Sequence, residues 1–301
     1  MRIVSIGEVL WDVIDGAEYL GGAPLNFAAQ AHKLGHEVYL VSAVGEDERG
    51  ARALDAMRRL GIAREFVLTV PDRPTGTAQV ELDPSGKPMF RIVRPAAYDF
   101  ARLTPELRKR IARVQPDWIY FGTLFHTSKT ALAATLTLLE EIPSAKRIYD
   151  VNLREGHWSL AAVEKLASCT PVIKLSDGEA EFLDASLDSN GEETSVRRFC
   201  ERWCDQYNCQ TVCVTLGERG CAVYHDRLYT ESPGIKVPVA DTVGAGDAFA
   251  AAFVHGMGEG WPMDRCAAFA NAVAALVASR PGAIPEWRVD EVWPMLGGKT
   301  G

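Results

Sequence analysis

The sequence has no apolar run long enough to span a bilayer. Its longest weakly polar stretches, 131–139 and 266–278, are too short and too rich in alanine. Basic residues are fewer than acidic ones, 32 against 40, for a formal net charge of −8. Binding to a nucleic-acid backbone needs clustered Lys and Arg. The densest basic run, Arg108-Lys109-Arg110, reads instead as a solvated helix face, so neither nucleic acid nor membrane is expected as a partner. The six histidines show no HExxH pattern or other paired-ligand spacing, which argues against a histidine metal centre. No cleavage pattern precedes 2–7, which read directly as a first strand, and the seven cysteines, an odd number, suggest reduced thiols; the expectation is a cytoplasmic protein. Cys200, Cys204, Cys209 and Cys213 are clustered, but their x3, x4, x3 spacing matches no standard zinc pattern and reads as core or surface thiols. Internal repeats and low-complexity linkers are also missing, so 1–301 reads as one main domain.

What is present is ordinary globular composition, 47% hydrophobic and 24% charged, arranged in alternation. Short apolar runs predict strands at 3–6, 38–44, 118–121, 147–151, 172–175 and 211–216, and amphipathic stretches predict helices at 26–34, 49–60, 105–114, 128–141 and 194–206. Leu54, Met57 and Leu60 recur at helical spacing with Gly61 as a stop, and Thr104-Pro105 is a cap with proline at the first helical position. Such alternation predicts an α/β fold with a parallel sheet covered on both faces. One region departs from it. Segments 77–82 and 90–93 flank Asp83-Pro84-Ser85-Gly86-Lys87-Pro88 as a hairpin, and 9–14 alternates like a strand with one polar side. Together 9–21 and 70–98 are expected to form a small β-sheet, a natural lid over a reaction that excludes water.

The most informative stretch is Asp241-Thr242-Val243-Gly244-Ala245-Gly246-Asp247, followed by a small-residue helical run. Free N–H groups at a helix start attract an anion, and glycines let it approach. A carboxylate there, Asp247, makes sense as an acid–base group facing another ligand. Upstream, Gly21-Gly22-Ala23-Pro24-Leu25-Asn26 permits close approach of a small polar ligand, Asn26 offers both donor and acceptor, and Asp12 can accept two sugar hydroxyls. Asp150-Val151-Asn152-Leu153-Arg154 sits at a strand end, where open α/β sheets bind ligands. Lys174-Leu175-Ser176-Asp177-Gly178-Glu179 ends another strand; Glu179 is placed either to order a hydrated Mg²⁺ or simply to serve as a first-turn helix acid. Thr215-Leu216-Gly217-Glu218-Arg219-Gly220 suits a loop lying along a nucleotide. Two motifs mislead. Gly297-Gly298-Lys299-Thr300 imitates a P-loop end, but its first glycine would fall on Trp293 and no helix follows; Gly244-x-Gly246-x-x-Phe249 imitates a dinucleotide fingerprint, but it lies late and Asp247 would face the pyrophosphate.

In this order, the motifs resemble the ribokinase/PfkB family of sugar kinases over almost the whole chain. GGAPLN at 21–26 is similar to the family's N-terminal signature, Gly45-Glu46-Asp47-Glu48-Arg49-Gly50 to its GxDxxG segment, and DTVGAGD at 241–247 to its C-terminal signature. The resemblance implies a Rossmann-like three-layer αβα sandwich with a β lid, dependence on ATP and Mg²⁺, and phosphorylation of a sugar hydroxyl. It implies Asp247 as base, with Gly244, Ala245 and Gly246 as the anion hole. Asp12, Gly22 and Asn26 match sugar-contacting positions. Lys174, Ser176, Thr215, Gly217, Gly220, Gly246 and Asn271 fall on the ATP side, and Glu179 matches the acid of the family's NxxE motif, where Ser176 replaces the usual Asn. Many members bind K⁺ through backbone carbonyls, here those of Asp241, Val243 and Gly282.

GGAP and DVNLR at 150–154 are similar to fructokinases and to 2-keto-3-deoxygluconate kinases, and Arg154 suits either a ketose or a carboxylate. Tyr98 and Phe100 are expected to line the sugar pocket. Fructose, phosphorylated on its primary hydroxyl to fructose 6-phosphate, is the favoured substrate, with the keto-deoxy acid or another sugar or nucleoside as alternatives. A sugar- or nucleotide-sensing protein without turnover is the rival class, and a homodimer paired through the exposed lid edge is a possible assembly.

Overall fold

Apolar runs become strands and amphipathic stretches become helices in a computed structural model that describes residues 1–82, 88–187 and 195–297. The turn read at 83–87, Thr194 at the start of one helix and the Gly298-Lys299-Thr300 part of the P-loop look-alike lie outside the described residues. The chain divides into two compact units, residues 1–146 with 154–158, and residues 147–153 with 159 onward.

The first unit contains β1 (Arg2–Ile6), β2 (Leu10–Ile14), β3 (Ala17–Gly21), α1 (Ala23–Lys33), β4 (Glu37–Gly45), α2 (Glu48–Arg59), β5 (Ala63–Val70), β6 (Gly76–Leu82), β7 (Pro88–Val93), α3 (Pro105–Arg113), β8 (Trp118–Gly122) and α4 (Lys129–Glu141). Strands β5, β4, β1 and β8 lie side by side in parallel. All five residues of β8 are buried, as the continuous apolar pattern of a doubly covered parallel strand requires. Helix α1 docks on them through Phe27, whose ring stacks on Tyr120 at 3.9 Å between centroids. Strands β3, β2, β6 and β7 form a separate four-stranded sheet, in that order. Leu10, Ala78 and Ile92 of that sheet pack with Leu124 beyond β8. Its strand β2 is also tied to α2: the Trp11 indole donates to the Arg49 carbonyl at 3.1 Å, and the Arg52 guanidinium lies 4.4 Å over the Trp11 ring.

The GxDxxG segment is a clasp. Asp47 caps α2 by accepting from Gly50 N–H at 2.7 Å, and it also accepts from the Thr75 N–H at 2.8 Å and hydroxyl at 2.6 Å. Thr75 Oγ1 in turn accepts from Gly45 N–H at 2.9 Å. A Cβ on Gly45 would stand 2.3 Å from the Arg73 carbonyl oxygen, and one on Gly50 2.1 Å from that of Gly45, so both positions require glycine.

The second unit contains β9 (Lys146–Asp150), α5 (Leu160–Ala167), β10 (Val172–Ser176), α6 (Asp177–Leu187), α7 (Val196–Tyr207), β11 (Thr211–Thr215), β12 (Gly220–His225), β13 (Leu228–Pro233), α8 (Ala245–Gly258) and α9 (Met263–Ala278). Strands β9, β10 and β11 are parallel, and β12 and β13 continue the sheet antiparallel. All six expected strands and all five expected helices are present. The sequence reading lacked β5, α5, β12 and β13. The β12–β13 hairpin turns through Asp226 at φ 47° and Arg227 at φ 67°, a left-handed pair without the glycine that normally announces such a turn. Strand β5 begins Ala63-Arg64-Glu65, whose charges hide its pattern, and α5 has only eight residues.

Asp47→Ala is expected to cost on the order of 1–2 kcal/mol, measured by urea unfolding. Burial alone would raise the Asp47 carboxyl, but its bonds from Thr75 and Gly50 outweigh burial and hold it below its ordinary value. The stabilisation is therefore complete above the unfolded-state value of about 4 and lost as pH falls through the lower folded-state value. The difference between parent and variant should shrink in acid.

Candidate functional site

In the second unit, the chemistry gathers at the C-terminal ends of β9, β10 and β11. Helix α8 starts at Gly244, which caps it at φ 80°, where a Cβ would stand 2.4 Å from the Ala283 carbonyl oxygen. Its first intrahelical bond runs from Ala248 N–H to Gly244 C=O at 2.9 Å, so Ala245, Gly246 and Asp247 fill the turn whose N–H groups precede the ladder. Asp247, half-buried, stands in this first turn. A Cβ on Gly246 would lie 3.3 Å from Lys174 Nζ, so the glycine keeps open the space beside that ammonium.

Lys174, at 6% exposure, sits near the end of β10. Its ammonium donates to both oxygens of fully buried Asp150 at 3.0 and 3.1 Å. Burial pulls Lys174 down, but the carboxylates of Asp150, Glu179 and Asp247 together outweigh it, and the ammonium is held above its ordinary range. A fixed cation therefore stands beside the head of α8.

Ser176 and Glu179 form a reciprocal capping box at the start of α6. The Ser176 N–H donates to Glu179 Oε2 at 2.8 Å, its hydroxyl donates to the same oxygen at 2.9 Å, and the Glu179 N–H donates back to Ser176 Oγ at 3.3 Å. The other oxygen, Oε1, accepts from Leu153 N–H at 2.5 Å, so Glu179 joins the β9 end to the β10 end. Serine at the usual Asn position completes this box. Among the described residues no group of three or more His, Cys, Asp or Glu side chains suits a metal. The donor set fits an ion held largely by phosphate oxygens and water, as Mg²⁺ commonly is.

Asp241 links two loops: Oδ1 accepts from Val243 N–H at 3.0 Å and Oδ2 from Gly282 N–H at 3.1 Å. The three carbonyls read as K⁺ ligands thus belong to loops held together by one carboxylate. Thr215 Oγ1 donates to the Leu175 carbonyl at 3.4 Å, and Gly217 opens a short turn at φ 59°. Gly220 admits no side chain, since a Cβ would be 2.1 Å from the Ser232 carbonyl oxygen. Asn271 is engaged within the protein: its amide donates to the Ser232 carbonyl and hydroxyl at 3.1 and 3.2 Å and to the Pro233 carbonyl at 3.2 Å, pinning α9 to β13.

In the first unit, Asp12 lies on β2 and Gly22 at the head of α1, where Asn26, 5% exposed, follows one turn later. Gly22 has φ 108°, and a Cβ would stand 2.5 Å from the Glu8 carbonyl oxygen; a Cβ on Gly21 would meet Asp12 Oδ2 at 2.6 Å. Burial pushes the Asp12 carboxyl up to about 6, Arg154 pulling it down and Glu8 pushing it up. Glu8, 5% exposed, went unnoticed in the sequence. Burial raises its carboxyl, against the N–H groups of Glu8 and Ala23 and the charges of Arg154 and Arg94. Tyr98 is fully buried beside Arg94, which pairs with Asp99, and its hydroxyl has no hydrogen-bond partner among the described residues. Phe100 is less buried than Tyr98. It is 36% exposed with the Arg73 guanidinium 4.2 Å over its ring, because residues two apart on a 3-10 turn face different sides.

A carboxylate and a buried ammonium at a glycine-started helix head make the second-unit cluster suited to moving an anionic group. The pattern of the pfkB family carbohydrate kinases matches residues 3–289, and the chain belongs to that family. It is a phosphotransferase with an alcohol group as acceptor. It is similar to the probable fructokinase-5 of Arabidopsis thaliana, 28% identical over 309 residues that span 94% of this chain and 93% of the relative. Among solved structures, it resembles a fructokinase with bound ATP from Xylella fastidiosa, with a TM-score of 0.85, 24% identity and 98% of each chain covered. It also resembles a fructokinase from Vibrio cholerae O395 in a fructose-, ADP- and calcium-bound form, with a TM-score of 0.82, 22% identity and 98% of each chain covered. These structures establish the fold as the three-layer α/β fold of the ribokinase-like kinases. No described helix is long and apolar enough to cross a membrane.

Lys174→Met removes the ammonium paired with buried Asp150, and a loss of about 3–5 kcal/mol is expected in urea unfolding. The double variant Lys174→Met/Asp150→Leu removes the buried carboxylate as well and should recover part of that loss.

Proposed function

We propose that the protein transfers the γ-phosphoryl group of ATP to the primary hydroxyl of fructose, giving fructose 6-phosphate. The observation that carries this reading is Asp247 in the first turn of α8, beside buried Lys174. Asp247 accepts the proton of the attacking hydroxyl, as a carboxylate suited to general-base work. The N–H groups at 244–246 and the Lys174 ammonium stabilise charge that grows on the transferred phosphoryl oxygens. Thr215, Gly217 and Gly220 lie along the nucleotide, and Asn271 supports that side by holding β13 in place. Glu179 would help to order a hydrated Mg²⁺, which would neutralise phosphate charge when bound, and the carbonyls of Asp241, Val243 and Gly282 would hold K⁺.

Asp12, Gly22, Asn26, Tyr98 and Arg154 hold the sugar, and the four-stranded sheet that carries Asp12 serves as its lid. The charge balance around Arg154 favours a neutral sugar. Its guanidinium already acts on two carboxyl groups, Asp12 and Glu8, and an acidic substrate would bring a third. The fructokinase names of similar proteins agree with this choice. The keto-deoxy acid is the second reading, since an Arg fork also suits a carboxylate.

Asp247→Asn should lower kcat by about 10²–10⁴-fold with little change in sugar affinity; near-full turnover would remove the base assignment. A screen of ATP consumption across ketoses, pentoses, nucleosides and keto-deoxy acids should give its highest kcat/KM with fructose. Faster turnover of a keto-deoxy acid would favour the second reading, and none with any acceptor would favour a sensor. Because Asp12 titrates at about 6, KM for the sugar should rise as pH falls below that value while Asp12→Asn shows a flat profile.

A further inference from the structure

Seven free cysteines are distributed unevenly in exposure and in distance from one another. Cys200, Cys213, Cys221 and Cys266 are wholly buried. Cys204 and Cys209 are each 8% exposed, and their sulfurs lie 3.4 Å apart. The chain itself creates this approach. Cys204 is in the last turn of α7, Asn208 caps the helix in the left-handed conformation at φ 52°, and the reversal returns Cys209 over the helix end. Both cysteines face a cleft of about 490 Å³, lined also by Asn208, Gln210, Tyr224 and Arg227. This cleft lies where β11 begins, at the opposite end of that strand from Thr215.

We propose that Cys204 and Cys209 form a reversible dithiol–disulfide site, oxidised by a small hydroperoxide that enters this cleft. The sulfurs need to approach by roughly 1.4 Å to reach the ~2.0 Å length of a disulfide bond. Cys204 is the attacking sulfur. The S–H bond donated by Cys209 lowers the Cys204 thiol, against burial and the neighbouring Asp205 carboxylate, which raise it, whereas Cys209 is raised first by that same bond and then by burial. The Cys204 thiolate displaces hydroxide from the peroxide and becomes a sulfenic acid. The Cys209 sulfur then attacks the Cys204 sulfur, its proton leaves with the sulfenic oxygen as water, and the S–S bond forms. In sum two thiols lose two electrons and hydrogen peroxide is reduced to two waters. A dithiol reductant reverses the change.

The test is peroxide treatment of the intact chain, alkylation, tryptic digestion and mass spectrometry without reduction. Trypsin releases a 203–219 peptide that contains Cys204, Cys209 and Cys213. The expected peptide is lighter by two hydrogens, with fragmentation placing the link between Cys204 and Cys209, and dithiothreitol restores both thiols. Cys213→Ser should retain the link, whereas Cys204→Ser and, independently, Cys209→Ala should lose it. A link that joins other cysteines, a sulfinic acid on one cysteine without a link, or unchanged thiols in the parent chain would overturn the proposal. The parent-chain measurement decides the matter even where a variant fails to fold.

Discussion

An ammonium ion buried near a strand end is costly unless anions surround it, and Lys174 is surrounded by three. Asp150 takes it directly, while Glu179 and Asp247 act on it through space. Each of those carboxylates belongs to a different element: Asp150 to β9, Glu179 to α6 and Asp247 to α8. The lysine therefore stands among three element ends and offsets part of their negative charge. Without it, buried Asp150 would lose the ammonium it accepts from and Asp247 a nearby positive charge. With it, a cation stands beside the acid in the first turn of α8.

The same economy of partners recurs around Glu179 and Asp241. Glu179 receives N–H groups from two strand ends and one hydroxyl, and Asp241 receives N–H groups from two loops. Both side chains act as joints between segments far apart in sequence. That role limits their freedom to reach a ligand directly, which is why the proposed metal contact at Glu179 runs through water and the proposed K⁺ contacts run through carbonyls.

Much of this was legible beforehand. Continuous apolar runs identified the parallel strands, since period and length are local properties of the sequence. The glycines of 244–246 and the acid after them marked the head of α8, because helix-start chemistry is also local. The clasp of Asp47 was visible only as a motif, since Thr75 lies 28 residues away and nothing in the sequence pairs them. Glu8 was invisible for a similar reason. A glutamate after a first strand reads as a surface residue, and only the fold reveals that Arg154 and Asp12 share its surroundings. The three acceptors of Asn271 were hidden because they lie on β13, a strand the sequence pattern does not reveal. Positions 98 and 100 differ in burial because a 3-10 turn separates residues that a strand would put on one face.

The clasp at Asp47 has an evolutionary consequence. The ban on side chains at Gly45 comes from the 73–75 segment against it, which Asp47 helps to hold through Thr75. Substitutions at these positions are therefore epistatic. The cost of a side chain at Gly45 therefore depends on whether Asp47 and Thr75 are intact, so the path from this segment to any other does not run through independent single steps.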